Sequence, residues 1–232
     1  MPPEPLEPWR IVVQVFGVAA FFVISLLQRS DLLRITALCI GAMIFYGMVQ
    51  DQFSVRLSPK YFTVAHAPIE SLSDPTLLGI TWGFLGSWWG GLFAGVAIAL
   101  TATLGENPPL TLRQLLLPVG LLLAGTATGT ILCGFAGHYN GKICAIVFQG
   151  GFGSTIPKEE QLWFFTVACA HMGTYTSSVI ATIAVCIWVG WFRRQQGIGV
   201  RQQQELLRVG NEAEKMAVGE SGSTHIQNLP LC

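Results

Sequence analysis

Five apolar runs separated by short polar stretches organise the first 192 residues of the chain. They extend over residues 9–28, 32–49, 77–103, 114–137 and 162–192. Each approaches or exceeds the ~20 residues that an α-helix needs to cross a bilayer core about 30 Å thick. The pattern predicts an all-α, polytopic transmembrane helix bundle of about five spans. Arg29, Ser30 and Asp31 alone separate the first two runs, which predicts a tight helical hairpin. The fifth run is about 46 Å long at the helical rise, so it is expected to tilt or to project beyond the hydrocarbon. Pro118 falls near the start of the fourth run, where a proline is best tolerated.

Between the second and third runs, Phe53, Val55 and Leu57 alternate with Ser54, Arg56 and Ser58. This period-two pattern reads as a short strand. Ser58-Pro59-Lys60 is a turn signal, and Tyr61 to Val64 is aromatic and β-branched, so a small extramembrane β-like hairpin is expected. The segment from His138 to Gln161 holds an apolar patch, Ile143 to Phe148, too short to cross a membrane. A packed surface loop is expected there. Beyond Phe192 the chain turns polar behind a basic stop, Arg193-Arg194. Leu206, Val209, Ala213 and Met216 recur at helical spacing, so an amphipathic helix near 200–217 is expected, followed by about fifteen disordered residues. Domain organisation is thus a short tail (1–8), a membrane domain (9–192) and a polar carboxyl-terminal tail (193–232).

Small residues recur every fourth position within the spans. The third carries Gly79, Gly83, Ser87, Gly91, Gly95, Ala99 and Thr103. The fourth carries Gly125, Gly129, Cys133 and Gly137, and the fifth runs from Ala170 through Thr174, Ser178, Thr182 and Cys186 to Gly190. Such rows let helix backbones approach closely. A four-residue step advances about 40° beyond a full turn, so one partner can meet only part of a row. Packing among spans three, four and five of one subunit is the simpler expectation, and self-association the sharper one. Trp88 and Trp89 fall near mid-span rather than in the interfacial position usual for Trp.

Composition agrees with a membrane setting. Charged residues make up 11% of the chain, hydrophobic ones 51%, and mean hydropathy is +0.53, whereas soluble domains carry about 25% charged residues. Net charge is zero with no basic block, which argues against a nucleic-acid partner. The six cysteines show no CxxC or Cys/His spacing, and four lie in apolar runs as small hydrophobes. The amino terminus, MPPEPLEP, lacks the basic region of a secretory signal, so the first run is expected to stay as a span. With the amino terminus outside, the cytoplasmic flanks receive Arg29, Arg34, Arg113, Arg193, Arg194, Arg201, Arg208 and Lys215. The outer flanks then hold Arg10, Arg56, Lys60, Lys142 and Lys158. The positive-inside rule therefore favours amino terminus out and carboxyl terminus in.

His171 is the unusual intramembrane group, about 14 Å along the fifth span. Ionisable residues at such depth are functional candidates. Thr174, Tyr175 and Ser178 share its helix face and form a polar stripe able to line a solute path. No Asp or Glu falls inside any expected span, so His171 is expected to be a neutral histidine bonded to Thr or Ser hydroxyls of a neighbouring helix. On the outer loops, His66, Glu70, Asp74, His138, Glu159 and Glu160 could gather on one face. Their spacings match no ligand pattern, so no metal, cofactor or catalytic site is assigned. Gly150 to Ser154 lacks the GK[ST] ending of a phosphate loop and reads as a flexible glycine loop.

The stretch VRLSPKYFTVAHAP, Val55 to Pro68, together with the start of the following Gly- and Trp-rich span, resembles a pattern in uncharacterised bacterial multi-span integral membrane proteins. The resemblance implies a bacterial inner-membrane setting and carries no activity. The expected function is a non-enzymatic component that packs with a second copy of itself or with another membrane protein in the lipid bilayer. The alternative is a small-solute transporter or channel using the face around His171. An intramembrane enzyme has the least support.

Overall fold

The computed structural model describes residues 5–69, 72–141 and 156–223. Among the described residues, five helices are long and apolar enough to cross a membrane. They are α1 (Pro8–Leu27), α2 (Asp31–Leu57), α3 (Pro75–Thr103), α4 (Leu112–Tyr139) and α5 (Lys158–Ser223), with a π-helical turn over Tyr61–Ala65. The apolar patch at Ile143–Phe148 and the glycine run Gly150–Ser154 lie outside the described residues.

The chain alternates between two ends of the bundle. At one end the Leu6 amide donates to the Pro68 carbonyl at 2.8 Å, tying the start of α1 to the segment before α3. At the other, Arg193 of α5 reaches the α3–α4 loop. Its Nε donates to the Pro108 carbonyl at 3.0 Å, and its terminal nitrogens donate to Thr101, Leu104 and Asn107 carbonyls at 2.5, 2.7 and 2.6 Å. A cation among the free carbonyls of a helix carboxyl end is favoured by the helix dipole. Arg193 is 4% exposed, so this residue of the basic stop is a buried clamp.

No strand forms among the described residues, and the expected β-like hairpin is replaced by helix. Nothing between Val49 and Leu57 breaks a helix, so α2 continues eight residues past the expected span end. It stops at Ser58, which leaves the helical region (φ −146°, ψ 89°), as a residue before proline is disfavoured from it. The alternation of Phe53, Val55 and Leu57 does not mark one face. Val55 is 1% exposed, while Phe53 and Leu57 face outward. The buried set is instead Asp51, Ser54, Val55 and Ser58, at helical spacing. At the amino end of α3, Asp74 accepts the Leu77 amide at 2.8 Å, and Pro75 occupies the first turn.

The small-residue rows are filled within the chain; the pairing of α4 with α5 falls within the expected set, whereas the chief partner of α3 is α2. A Cβ at Gly83 would stand 2.5 Å from Met48 Cα, one at Gly91 2.6 Å from Ile40 Cα, and one at Gly95 2.9 Å from Thr36 Cα. One at Gly79 would stand 2.9 Å from the Asp51 carbonyl oxygen. On the other pair, a Cβ at Gly129 would run into Ser177 Cβ, and one at Gly125 would stand 3.3 Å from Ala181 Cβ. Ser87 returns its hydroxyl to the Gly83 carbonyl.

α5 does not end at the basic pair. It runs 66 residues to Ser223, roughly 100 Å at the helical rise, so the expected separate tail helix is a continuation of the fifth span. Residues 224–232 lie outside the described residues. An apolar core of Ile35, Ile98, Ala102, Leu115, Leu122 and Val189 fills the Arg193 half of the bundle. Two smaller clusters, around Phe62 and around Phe164, fill the opposite end. The candidate site lies between them.

Candidate functional site

The helical continuation of α2 carries Asp51 inward to His171 of α5. Asp51 Oδ1 lies 3.0 Å from His171 Nε2, and the residues are 6% and 7% exposed. This overturns the expectation that no carboxylate lies inside a span to partner His171. His171 Nδ1 is 3.0 Å from the Val167 carbonyl, one turn back on its own helix. A carbonyl only accepts, so Nδ1 carries a hydrogen. The bond between Nε2 and Asp51 needs a second hydrogen, on either atom. The pair therefore holds two protons and is neutral overall, as imidazolium with carboxylate or imidazole with carboxylic acid. Neutrality suits its burial, because a lone buried charge is strongly disfavoured.

The pair forms one wall of a cavity of about 330 Å³ between α2, α3 and α5. Of the stripe expected to follow His171, all three members line it. Thr174 Oγ1 sits 2.9 Å from Gln50 Oε1 and 2.8 Å from Thr130 Oγ1. Thr130 in turn lies 2.6 Å from the Tyr46 hydroxyl, so a hydroxyl–amide network joins α2, α4 and α5 beside the pair. Tyr175 stacks on Trp89 at 5.6 Å between centroids. Ser178 donates to the Tyr175 carbonyl at 2.9 Å.

The π-helical turn places a second histidine on the cavity wall. His66 packs against Tyr61, Phe62 and Trp82, with the Trp82 ring 4.5 Å away. Tyr61 also lies 4.6 Å from the His171 ring, bridging the two imidazoles. His66 Nδ1 donates to the Tyr61 carbonyl at 3.2 Å. Burial pushes its imidazole below the ordinary 6.5, against the opposing pull of that hydrogen bond. Burial likewise pushes the Tyr61 phenol up. The indole N–H of Trp82, also on the cavity wall, is buried with no hydrogen-bond partner among the described residues.

The mid-span tryptophans now have distinct roles. Trp88 donates to Gln14 Oε1 at 2.8 Å and tethers α1, whereas Trp89 lies at the cavity's outward side with Phe93 and Tyr175. The outer-loop set is dispersed. His66 joins the cavity, Asp74 caps α3, and His138 pairs with Thr166 at 3.2 Å beside a second, apolar cavity of about 500 Å³ between α2, α4 and α5. Glu159 and Glu160 sit in the first turn of α5, and Glu70 lies outside the described residues. Among the described residues, no three His, Cys, Asp or Glu side chains gather as a metal site. Cys39, Cys133 and Cys186 are free thiols, but Cys169 is disulfide-bonded rather than a plain small hydrophobe.

Sequence reasoning placed the stripe around His171 and missed Asp51, Gln50 and His66 as members of the same site. Asp51 shares a helical face with Ser54, Val55 and Ser58, a grouping that becomes visible only once α2 is seen to stay helical to Leu57. No family model matches the chain, and no curated protein or solved structure matches it either.

Proposed function

We propose that this protein is a non-enzymatic membrane transporter for a small solute, with the Asp51–His171 pair as the proton-carrying element of its solute cavity. The observation that carries the reading is the 3.0 Å contact between Asp51 and His171 on the wall of that cavity. Ionisable groups within membrane spans mark ion and proton paths. A neutral, two-proton pair can release one proton when the cavity changes occupant and recover it afterwards. Both nitrogens of His171 are engaged, which leaves neither to activate a hydroxyl or water. That favours proton carriage over general-base catalysis.

Self-association through the small-residue rows receives less support, because their closest approaches are taken by helices of the same chain. The proposed setting is a bacterial inner membrane, with the amino terminus outside and the carboxyl terminus in the cytoplasm. The eight-to-five Lys/Arg bias supports this orientation.

The test uses proteoliposomes with a trapped pH dye under an inside-acid gradient. They are challenged in turn with benzyltrimethylammonium, benzyl alcohol and benzenesulfonate. At least one of these discharges the gradient faster than in protein-free vesicles, and Asp51→Asn and His171→Gln abolish the acceleration while remaining monodisperse. No acceleration by any probe, or full acceleration in both variants, contradicts the reading.

A further inference from the structure

The cavity has a polar floor and an aromatic mouth. On the floor lie Asp51, His171 and His66. At the mouth, Trp89, Phe93 and Tyr175 are 40%, 70% and 39% exposed on helices whose outward surfaces are apolar. The opening between α3 and α5 thus faces the level at which a bilayer would surround the bundle. A ligand entering there passes aromatic faces first. Among the described lining residues there is no Lys or Arg, and Asp51 is the only carboxylate. The wall therefore offers aromatic π-faces and one potential negative charge, with no fixed positive charge to receive an anion.

We infer that the cavity takes a small organic cation, an ammonium carried on an apolar body, in exchange for one proton of the Asp51–His171 pair. The inference rests on the reading of the cavity as a transport site. With two protons on the pair the empty site is neutral. Release of one to water leaves an Asp51 carboxylate beside a neutral imidazole whose Nδ1–H still donates to Val167. The arriving cation restores neutrality, so the cavity is electroneutral in both states, with one proton out for one cation in. Trp89 and Tyr175 stack on each other at 5.6 Å, so the face of each ring turned away from the other is the one that would attract a cation of low hydration. A volume of about 330 Å³ falls within the range of small-molecule sites.

The titratable groups facing the pair are few. Tyr46 faces it from α2, Tyr61 and His66 from the π-helical segment, and Tyr175 from α5. α3 carries no titratable side chain, and α4 contributes Thr130 through the hydroxyl network. Phenols keep their protons across the neutral range. Proton exchange on cation binding is therefore assigned to the pair, and His66 is the group to control for.

The experiment is calorimetric binding of benzyltrimethylammonium to the full chain in nanodiscs, with proton release read from the heat in buffers of different ionisation enthalpy. One proton is released per cation bound, and affinity rises about tenfold per pH unit while the pair remains protonated. Asp51→Asn removes both binding and release. Trp89→Leu, at the mouth, weakens binding severalfold but keeps the one-for-one release, and His66→Gln leaves the release at one proton per cation bound whatever its effect on affinity. Binding without proton release, or equal binding by Asp51→Asn, overturns the exchange. Binding of benzyl alcohol but not of the cation overturns the cation assignment and leaves the cavity a solute site. Absence of binding by either probe, alongside solute-driven flux in vesicles, likewise rejects the cation while the transport reading stands.

Discussion

Asp51 and His171 are separated by 120 positions and joined by one hydrogen bond. His171 was legible in the sequence as an ionisable residue deep in an apolar run. Asp51 was not, because Gln50-Asp51-Gln52 reads as the polar end of a span, and hydropathy alone cannot tell a solvated carboxylate from one facing a buried imidazole. His66 was legible only as a loop histidine, since the π-helical turn that swings it onto the cavity is set by tertiary packing of Tyr61 and Phe62. Its burial has a pH consequence. A base whose folded-state pKa is depressed takes up protons more readily when unfolded, so its burial leaves stability intact above the unfolded value of 6.5. Stability falls as pH drops through and below that value, until the folded form also protonates. Thermal unfolding in detergent between pH 8 and pH 5 is expected to show a declining midpoint below about pH 6.5, and His66→Gln is expected to flatten that part of the decline. An unchanged slope in the variant removes His66 as its source.

At the scale of elements, the decisive event is that α2 stays helical to Leu57. Three β-favouring residues at period two suggested a strand, yet the same stretch satisfies a helical period with Asp51, Ser54, Val55 and Ser58 inward. Continued helix keeps its backbone groups paired at the membrane end, which an isolated hairpin edge cannot do. The small-residue rows showed that close helix approach was intended but not which helices would meet. That choice depends on the winding of each row and on the partner's side chains. Gly83 separates the alternatives. A methyl group there meets the backbone of α2 at 2.5 Å, so Gly83→Ala is expected to destabilise by about 1–3 kcal/mol. Gly120, with nothing within 4 Å of an added Cβ, is expected to gain up to about 1 kcal/mol as alanine. Denaturant or thermal unfolding of the two variants checks the contrast. Equal effects would mean that α3 does not approach α2 this closely.

At the scale of the whole molecule, the five long apolar helices were legible from run length and hydropathy, the two quantities a bilayer-crossing helix must satisfy. The contacts at each end of the bundle follow the alternation that five spans require, with Leu6 beside Pro68 at one end and Arg193 in the α3–α4 loop at the other. Beyond the reach of hydropathy were the pairing of helices, the buried role of Arg193 and the unbroken course of α5. All three are fixed by side chains that leave one helix to satisfy another. The cavity follows from that arrangement, since it is the space left where two tightly packed helix pairs meet. Its functional reading turns on the protons of a single pair, and the chain has only four histidines, which makes those protons observable. Nitrogen NMR of ¹⁵N-histidine-labelled protein in nanodiscs, with the His171 signals assigned by His171→Gln, measures them directly. The account predicts a proton on Nδ1 throughout and a signal at Nε2 that is altered by Asp51→Asn. An unprotonated Nδ1, or an Nε2 signal indifferent to Asp51→Asn, would contradict it.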